Sequence, residues 1–255
     1  METVKYGPLT LEWVEDSYAT GYCVVGCDKD VLEVEIPLRV GEYNVVSIGD
    51  YAFEGCERLG RVHFPKLDPE EHGEDAGLRE IGEYAFSGCT SLVVISIPDT
   101  VTTVSRGAFY GCVALIAAEF SLSTYIAPYA FAGCRTLRFI PPLGSISEGT
   151  FRDCFYLDCV TLTEHCREIG EDAFEHCRSL YCVIIPESVR RIDGLAFRGC
   201  LALRRVAFAE RDGWYERNSY TGTEEELELI DAAWNAHRLS GMDFDDGVIA
   251  WYRKE

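Results

Sequence analysis

Seven times the chain repeats one phrase: a branched apolar residue, a small or polar residue, then Ala-Phe-x-x-Cys-x-x-Leu. Ile48–Leu59 reads IGDYAFEGCERL and Ile169–Leu180 reads IGEDAFEHCRSL. The phenylalanines are Phe53, Phe86, Phe109, Phe131, Phe151, Phe174 and Phe197, at spacings of 33, 23, 22, 20, 23 and 23 residues. Cysteine follows each by three positions (Cys56, Cys89, Cys112, Cys134, Cys154, Cys177, Cys200), and leucine follows the cysteine by three more. A unit this short cannot bury its own apolar face, so successive copies must stack into a solenoid. Such scaffolds hold a surface in place and seldom do chemistry.

After each leucine the apolar period becomes two, as in Val62 and Phe64, Ile95 and Ile97, or Val183 and Ile185. This alternation predicts a short strand with one buried face. Proline closes several of these strands, at Pro65, Pro98 and Pro186, because it lacks a ladder donor. Val34-x-Ile36-Pro37 fits the same template and predicts an eighth, N-terminal rung. Phe and Leu fill the core, and Ala beside Phe keeps the turn slim. Cysteine is small, readily buried and a weak donor. The residue before it is usually glycine, at Gly55, Gly88, Gly111, Gly133 and Gly199, which predicts a positive φ.

The pattern L-x-x-I-x-I-P joined to an Ala-Phe-x-x-Cys turn resembles the BspA-like leucine-rich-repeat family, over about residues 31–208. The resemblance implies a leucine-rich-repeat solenoid: a curved parallel β-sheet, with turns or short helices on the other side. It also implies a concave binding surface. The chain departs from the pattern at the fourth full copy, LRFIPPLGS, where Pro141 and Pro142 stand in the expected strand. The fifth copy has Thr150 for Ala. Regular curvature is expected to fail near the two prolines.

The expected organisation is a capping hairpin over 1–30, the solenoid over 31–208, and an acidic helical cap or docking segment over 209–255. In the last, Leu227, Ile230 and Trp234 share one helical face, Ser240-Gly241 ends it, and Trp251 and Tyr252 lie in a final strand. An acidic insertion, Lys66–Gly77, accounts for the one long spacing.

A formal charge of −20 over 255 residues argues against nucleic acid and anionic membrane surfaces as partners. No apolar run approaches the ~20 residues of a membrane span, and METVKYGPLTLEW lacks a charged-then-apolar signal region. Seven of the twelve cysteines belong to the repeat, an odd number that cannot pair among itself. Side chains one rung apart also stand ~4.8 Å from each other, beyond the ~3.5–4.5 Å between disulfide Cβ atoms. Reduced thiols and a cytoplasmic location are therefore expected, with cell surface or secretion, as in some family members, as the alternative.

No catalytic residue, metal site or cofactor is expected. Cys23 and Cys27 have no second pair at zinc spacing, and Asp243–Gly247 lacks the alternate ligands of a calcium loop. The dipeptides His165-Cys166 and His176-Cys177 read as turn residues. No phosphate loop, G-x-S-x-G elbow or His-Glu-x-x-His helix occurs. Strand alternation instead directs outward the side chains two and four places after each leucine: Arg61 and His63, Val94 and Ser96, Ala117 and Glu119, Phe139 and Pro141, Cys159 and Thr161, Cys182 and Ile184, Arg205 and Ala207. Val94, Phe139, Ile184 and the two cysteines are expected to form one contiguous apolar patch rimmed by Arg61, Glu119 and Arg205. Such a patch marks a protein or peptide site. The alternative is a thiol-based redox or metal-responsive scaffold using Cys159 and Cys182. Self-association through the terminal rungs is a third option.

Overall fold

The structure, a computed structural model, describes residues 3–15, 20–66, 76–210, 212–218, 224–226, 232–241 and 248–253. Each copy of the phrase makes one turn of a stacked coil with two strand columns. The column that begins each copy holds Tyr43–Ile48, Glu80–Ile81, Thr103–Val104 and Tyr125–Ile126, paired in parallel with Ile48, Ile81, Val104 and Ile126 in register. The column after each leucine holds Glu33–Glu35, Arg61–His63, Val94–Ser96 and Ala117–Glu119, also parallel. The expected sheet is therefore joined by a second, narrower one, where only two residues per turn are extended. The N-terminal rung at Val34 and Ile36 is present, with both side chains buried.

The third side of the coil is the Ala-Phe-x-x-Cys turn, and its backbone is bonded from rung to rung. Tyr51 N donates to Glu83 O at 2.9 Å, Phe53 N to Ala85 O at 2.7 Å, and Gly55 N to Ser87 O at 2.7 Å. Two residues in each of the first six turns, and one in the seventh, take positive φ to allow this. The position before cysteine does so in all seven copies, by Gly55, Gly88, Gly111, Gly133 and Gly199, and by Asp153 and His176 where glycine is missing. The position two before phenylalanine does so at Tyr51, Tyr84, Gly107, Tyr129, Gly149 and Asp172, a column the sequence reading overlooked. Inside, the phenylalanine rings stack with centroids 4.7–5.7 Å apart and planes within 14°.

Both strand columns lapse at the proline-bearing rung. The first stops after Ile126 and resumes with an isolated Ile146↔Ile169 bridge and Glu168–Ile169 against Arg191–Asp193. The second dwindles to an Ala117↔Phe139 bridge and, past the prolines, a Leu143↔Leu162 bridge, then resumes with Cys159↔Cys182 and the pair Cys182–Ile185, Arg205–Phe208. Pro141 and Pro142 have no N–H to give, and this copy is the shortest. The turn face continues across the lapse, with Phe131 N on Thr150 O and Gly133 N on Arg152 O.

Both ends are closed, as stacked coils require. At the N-terminus Thr20–Cys27 pairs antiparallel with Leu9–Glu15 and parallel with Tyr43–Ile48, burying Leu9, Leu11 and Val24. At the other end Val248–Arg253 lies antiparallel on Arg191–Asp193 and on Trp214–Asn218. Trp214, Trp251, Ala236 and Leu239 are buried there, and Trp214 meets Phe208 edge-on at 5.0 Å. Among the described residues a helix is present only at Ala232–Gly241, ending at the glycine where a stop was expected. Leu227, Ile230, the Trp234 side chain, residues 67–75 of the acidic insertion and Asp243–Gly247 lie outside the described residues.

Candidate functional site

The outward row after each leucine has the alternation that the repeat predicts. Val62, Ile95, Ala118, Val160, Val183 and Val206 face the core, while their neighbours face solvent. Arg61 and His63 both approach Glu33, at 3.5 and 3.4 Å, forming a charged end. Val94 lies between Arg61 and Ala117 in register, and Ala117 faces Phe139. Ser96 Oγ donates to Glu119 Oε2 at 2.7 Å along one rim. Phe139 is 64% exposed, a large uncovered aromatic. Val93 and Ile116, one residue after their leucines, are exposed beside it. The sequence reading missed these two because they precede the strands Val94–Ser96 and Ala117–Glu119, where alternation does not reach. Their signal was the apolar character of that column in two consecutive copies.

Beyond the lapse the row continues with exposed Cys159 and Thr161, half-buried Cys182, Ile184 at 63% exposure, and Arg205. The expected patch is thus two segments whose strands are joined only by the Leu143↔Leu162 bridge: Val93, Val94, Ile116 and Phe139 on one side, Cys159, Cys182 and Ile184 on the other. The prolines remove the bonds that would have joined them. An Arg138–Asp158 ion pair at 3.1 Å bridges the gap. On the opposite column the same lapse opens a cleft of about 260 Å³ lined by Tyr125, Ser145, Ser147, His165, Arg167 and Glu168 among others.

The twelve cysteines are free thiols. Six of the repeated seven do one job. Cys89, Cys112, Cys134, Cys154, Cys177 and Cys200 donate S–H to the carbonyls of Phe53, Phe86, Phe109, Phe131, Phe151 and Phe174, at 3.0–3.3 Å. Burial pushes all six thiols up, Cys200 to about 12, so none is a ready nucleophile. Cys166 also turns inward, donating to Glu168 O at 3.4 Å, while His165 faces out.

A charge column on the turn face escaped the sequence reading. Arg152, Glu175 and Arg198 each follow their phenylalanine by one place in three consecutive copies, and that shared place was the available signal. Glu175 is fully buried between the two guanidinium groups, with Arg152 Nη1 at 2.9 Å and Arg198 Nε at 2.6 Å. Arg152 also reaches Asp172 at 2.6 Å, and His176 meets Asp153 at 3.1 Å. Alternating signs let a carboxylate be buried at this position. Among the described residues no group of three or more His, Cys, Asp or Glu is arranged to hold a metal ion. No helix among them is long and apolar enough to cross a membrane.

A coil of this geometry, with a slim bonded turn face and an outward strand row, defines the leucine-rich-repeat class. The sequence profile described as BspA type leucine rich repeat region matches residues 32–76, 74–142 and 124–225, and the chain belongs to that family. No curated protein matches the chain. Among solved structures, the T. pallidum leucine rich repeat protein is similar, at 25% identity and a TM-score of 0.53. That match covers 81% of this chain and 82% of the other. A leucine-rich repeat protein from Bacteroides ovatus is 21% identical, with a TM-score of 0.46 over 82% of this chain and 71% of its own.

Proposed function

We propose that the protein is a non-catalytic scaffold that binds a protein or peptide segment through the outward strand row. The reading is supported by one observation above others: Val93, Val94, Ile116 and Phe139 stand uncovered and adjacent, with a rim of Arg61, Glu119 and Arg138. A segment carrying two or three apolar side chains would bury this surface. The mixed-sign rim would set its register and contribute little affinity. Repeat families of this kind are generally non-catalytic binding scaffolds, and the residue chemistry favours the same role. The thiol column favours a reducing, cytoplasmic compartment, with the cell surface as the alternative.

Selection of displayed peptides against the protein, followed by calorimetry, tests the reading. Phe139→Glu combined with Val94→Glu should weaken a selected peptide at least ~100-fold, in line with loss of a hot spot. The circular dichroism spectrum should stay unchanged, because both side chains point away from the core. Equal affinity in the double variant would exclude this face. A second reading rests on the direct Cys159↔Cys182 register, which sets two accessible thiols side by side. Serine at both positions distinguishes the two, since peptide affinity should be insensitive to it.

A further inference from the structure

Two cysteines of the outward row are held side by side by the backbone itself. Ser179 N donates to Phe155 O at 3.0 Å and Tyr181 N to Asp158 O at 3.2 Å, which locks the two segments in register up to the parallel Cys159↔Cys182 bridge. Val160 and Val183, the next residues, are buried. Alternation therefore turns both sulfurs outward, onto the same face. Cys159 is exposed and Cys182 is half-buried. Arg205 follows in the row, paired with Cys182 in register and exposed, so a cation stands beside the two sulfurs.

The spacing selects what can join them. Side chains in register on neighbouring parallel strands stand ~4.8 Å apart, wider than the ~3.5–4.5 Å between disulfide Cβ atoms. Two metal–thiolate bonds of ~2.3 Å, laid end to end, span ~4.6 Å and match the strand spacing.

We infer that Cys159 and Cys182 form a two-coordinate site for one copper(I) ion, a site that rests on the second reading above, in which both thiols are accessible. Thiolate is the soft ligand that copper(I) prefers, and its filled d shell lets it stop at two ligands in line. Zinc in a structural site takes four ligands. Among the described residues no third His, Cys, Asp or Glu is arranged to join the pair. Thr161 and Ile184, the next outward residues of the two strands, offer no soft donor. The six buried thiols do not compete, because they are sealed in the coil and donate to backbone carbonyls.

Binding exchanges protons for metal without a change of oxidation state. Each S–H gives its proton to water as its copper–sulfur bond forms, so two protons leave per ion bound. Two thiolates around one Cu⁺ carry a net charge of −1, which the Arg205 guanidinium offsets.

The intact, reduced chain is titrated without oxygen against copper(I) held by bicinchoninate, whose colour fades as the protein withdraws the metal. One copper per chain is expected, with two protons released in unbuffered solution. Cys159→Ser and Cys182→Ser should each lose that copper with an unchanged circular dichroism spectrum, since both side chains lie outside the core. Cys27→Ser should keep it. Zinc in ~100-fold excess should displace none, because the pair supplies only half of its ligands. Copper uptake unaffected by serine at both positions would overturn the site. So would one copper shared between two chains, read by light scattering. Maleimide labelling of the metal-free chain separates two ways of failing. If either cysteine resists the label, the accessible pair itself is excluded; if both are labelled and no copper is bound, only the metal site is.

Discussion

A single turn tolerates a bulky left-handed residue only if its neighbour yields space, and the tyrosine–glycine column shows how. Tyr129 sits at φ 59°, where a side chain costs about 1 kcal/mol. Its ring then lies over the next rung, so that a Cβ on Gly149 would come within 2.2 Å of it. Gly107 stands in the same relation to Tyr84, at 2.4 Å. Gly149→Ala therefore meets strain twice, from its own φ of 57° and from the ring. It should destabilise the protein by about 2–4 kcal/mol in denaturant titration. Adding Tyr129→Ala should recover the steric part and leave about 1 kcal/mol of conformational strain. Additive losses in the double variant would show that the ring does not cover the glycine. Cysteine was legible as a small buried residue, but its acceptor was not, because the phenylalanine carbonyl belongs to the preceding copy.

At the level of the element, the proline-bearing rung behaves as a joint. Its turn is bonded to both neighbours, while its strands are bonded to the preceding rung and keep only the Leu143↔Leu162 bridge toward the following one. The widest phenylalanine spacings, 5.7 Å, fall on either side of Phe151, the ring that follows this gap. Hydrogen exchange should accordingly find low protection for the Ile140, Gly144 and Ser145 amides, compared with Val94–Ser96 and Cys182–Ile185. Uniform protection along the coil would contradict this. The prolines announced the fault in sequence. That both strand columns break together, splitting the outward row, followed from where the two columns lie in each turn.

For the whole molecule, the thiol column links stability to alkalinity. Folded, six buried thiols keep their protons well above ~8.5, where unfolded cysteines lose theirs. Above that pH the unfolded chain binds fewer protons, so folding stability is full below ~8.5 and falls as pH rises toward the folded values. Each thiol contributes a slope of about 1.4 kcal/mol per pH unit in that window. Cys112→Ala should lower stability near neutrality by about 1–2 kcal/mol through the lost hydrogen bond and sulfur volume. It should also flatten the alkaline slope by one thiol's worth. A slope identical to that of the parent chain would mean that Cys112 already ionises when folded.

The spacing of phenylalanine, cysteine and leucine determined by itself that the chain coils, which side chains face inward and which row faces out. These are properties of one turn and its identical neighbours, so local pattern carries them. Tertiary structure alone decided the burial of Glu175 between two arginines and the seating of Trp214 and Trp251 on the last rung. The tryptophans belong to a segment unlike the rungs they cover, and the glutamate is cut off from water by the turns stacked on either side of it.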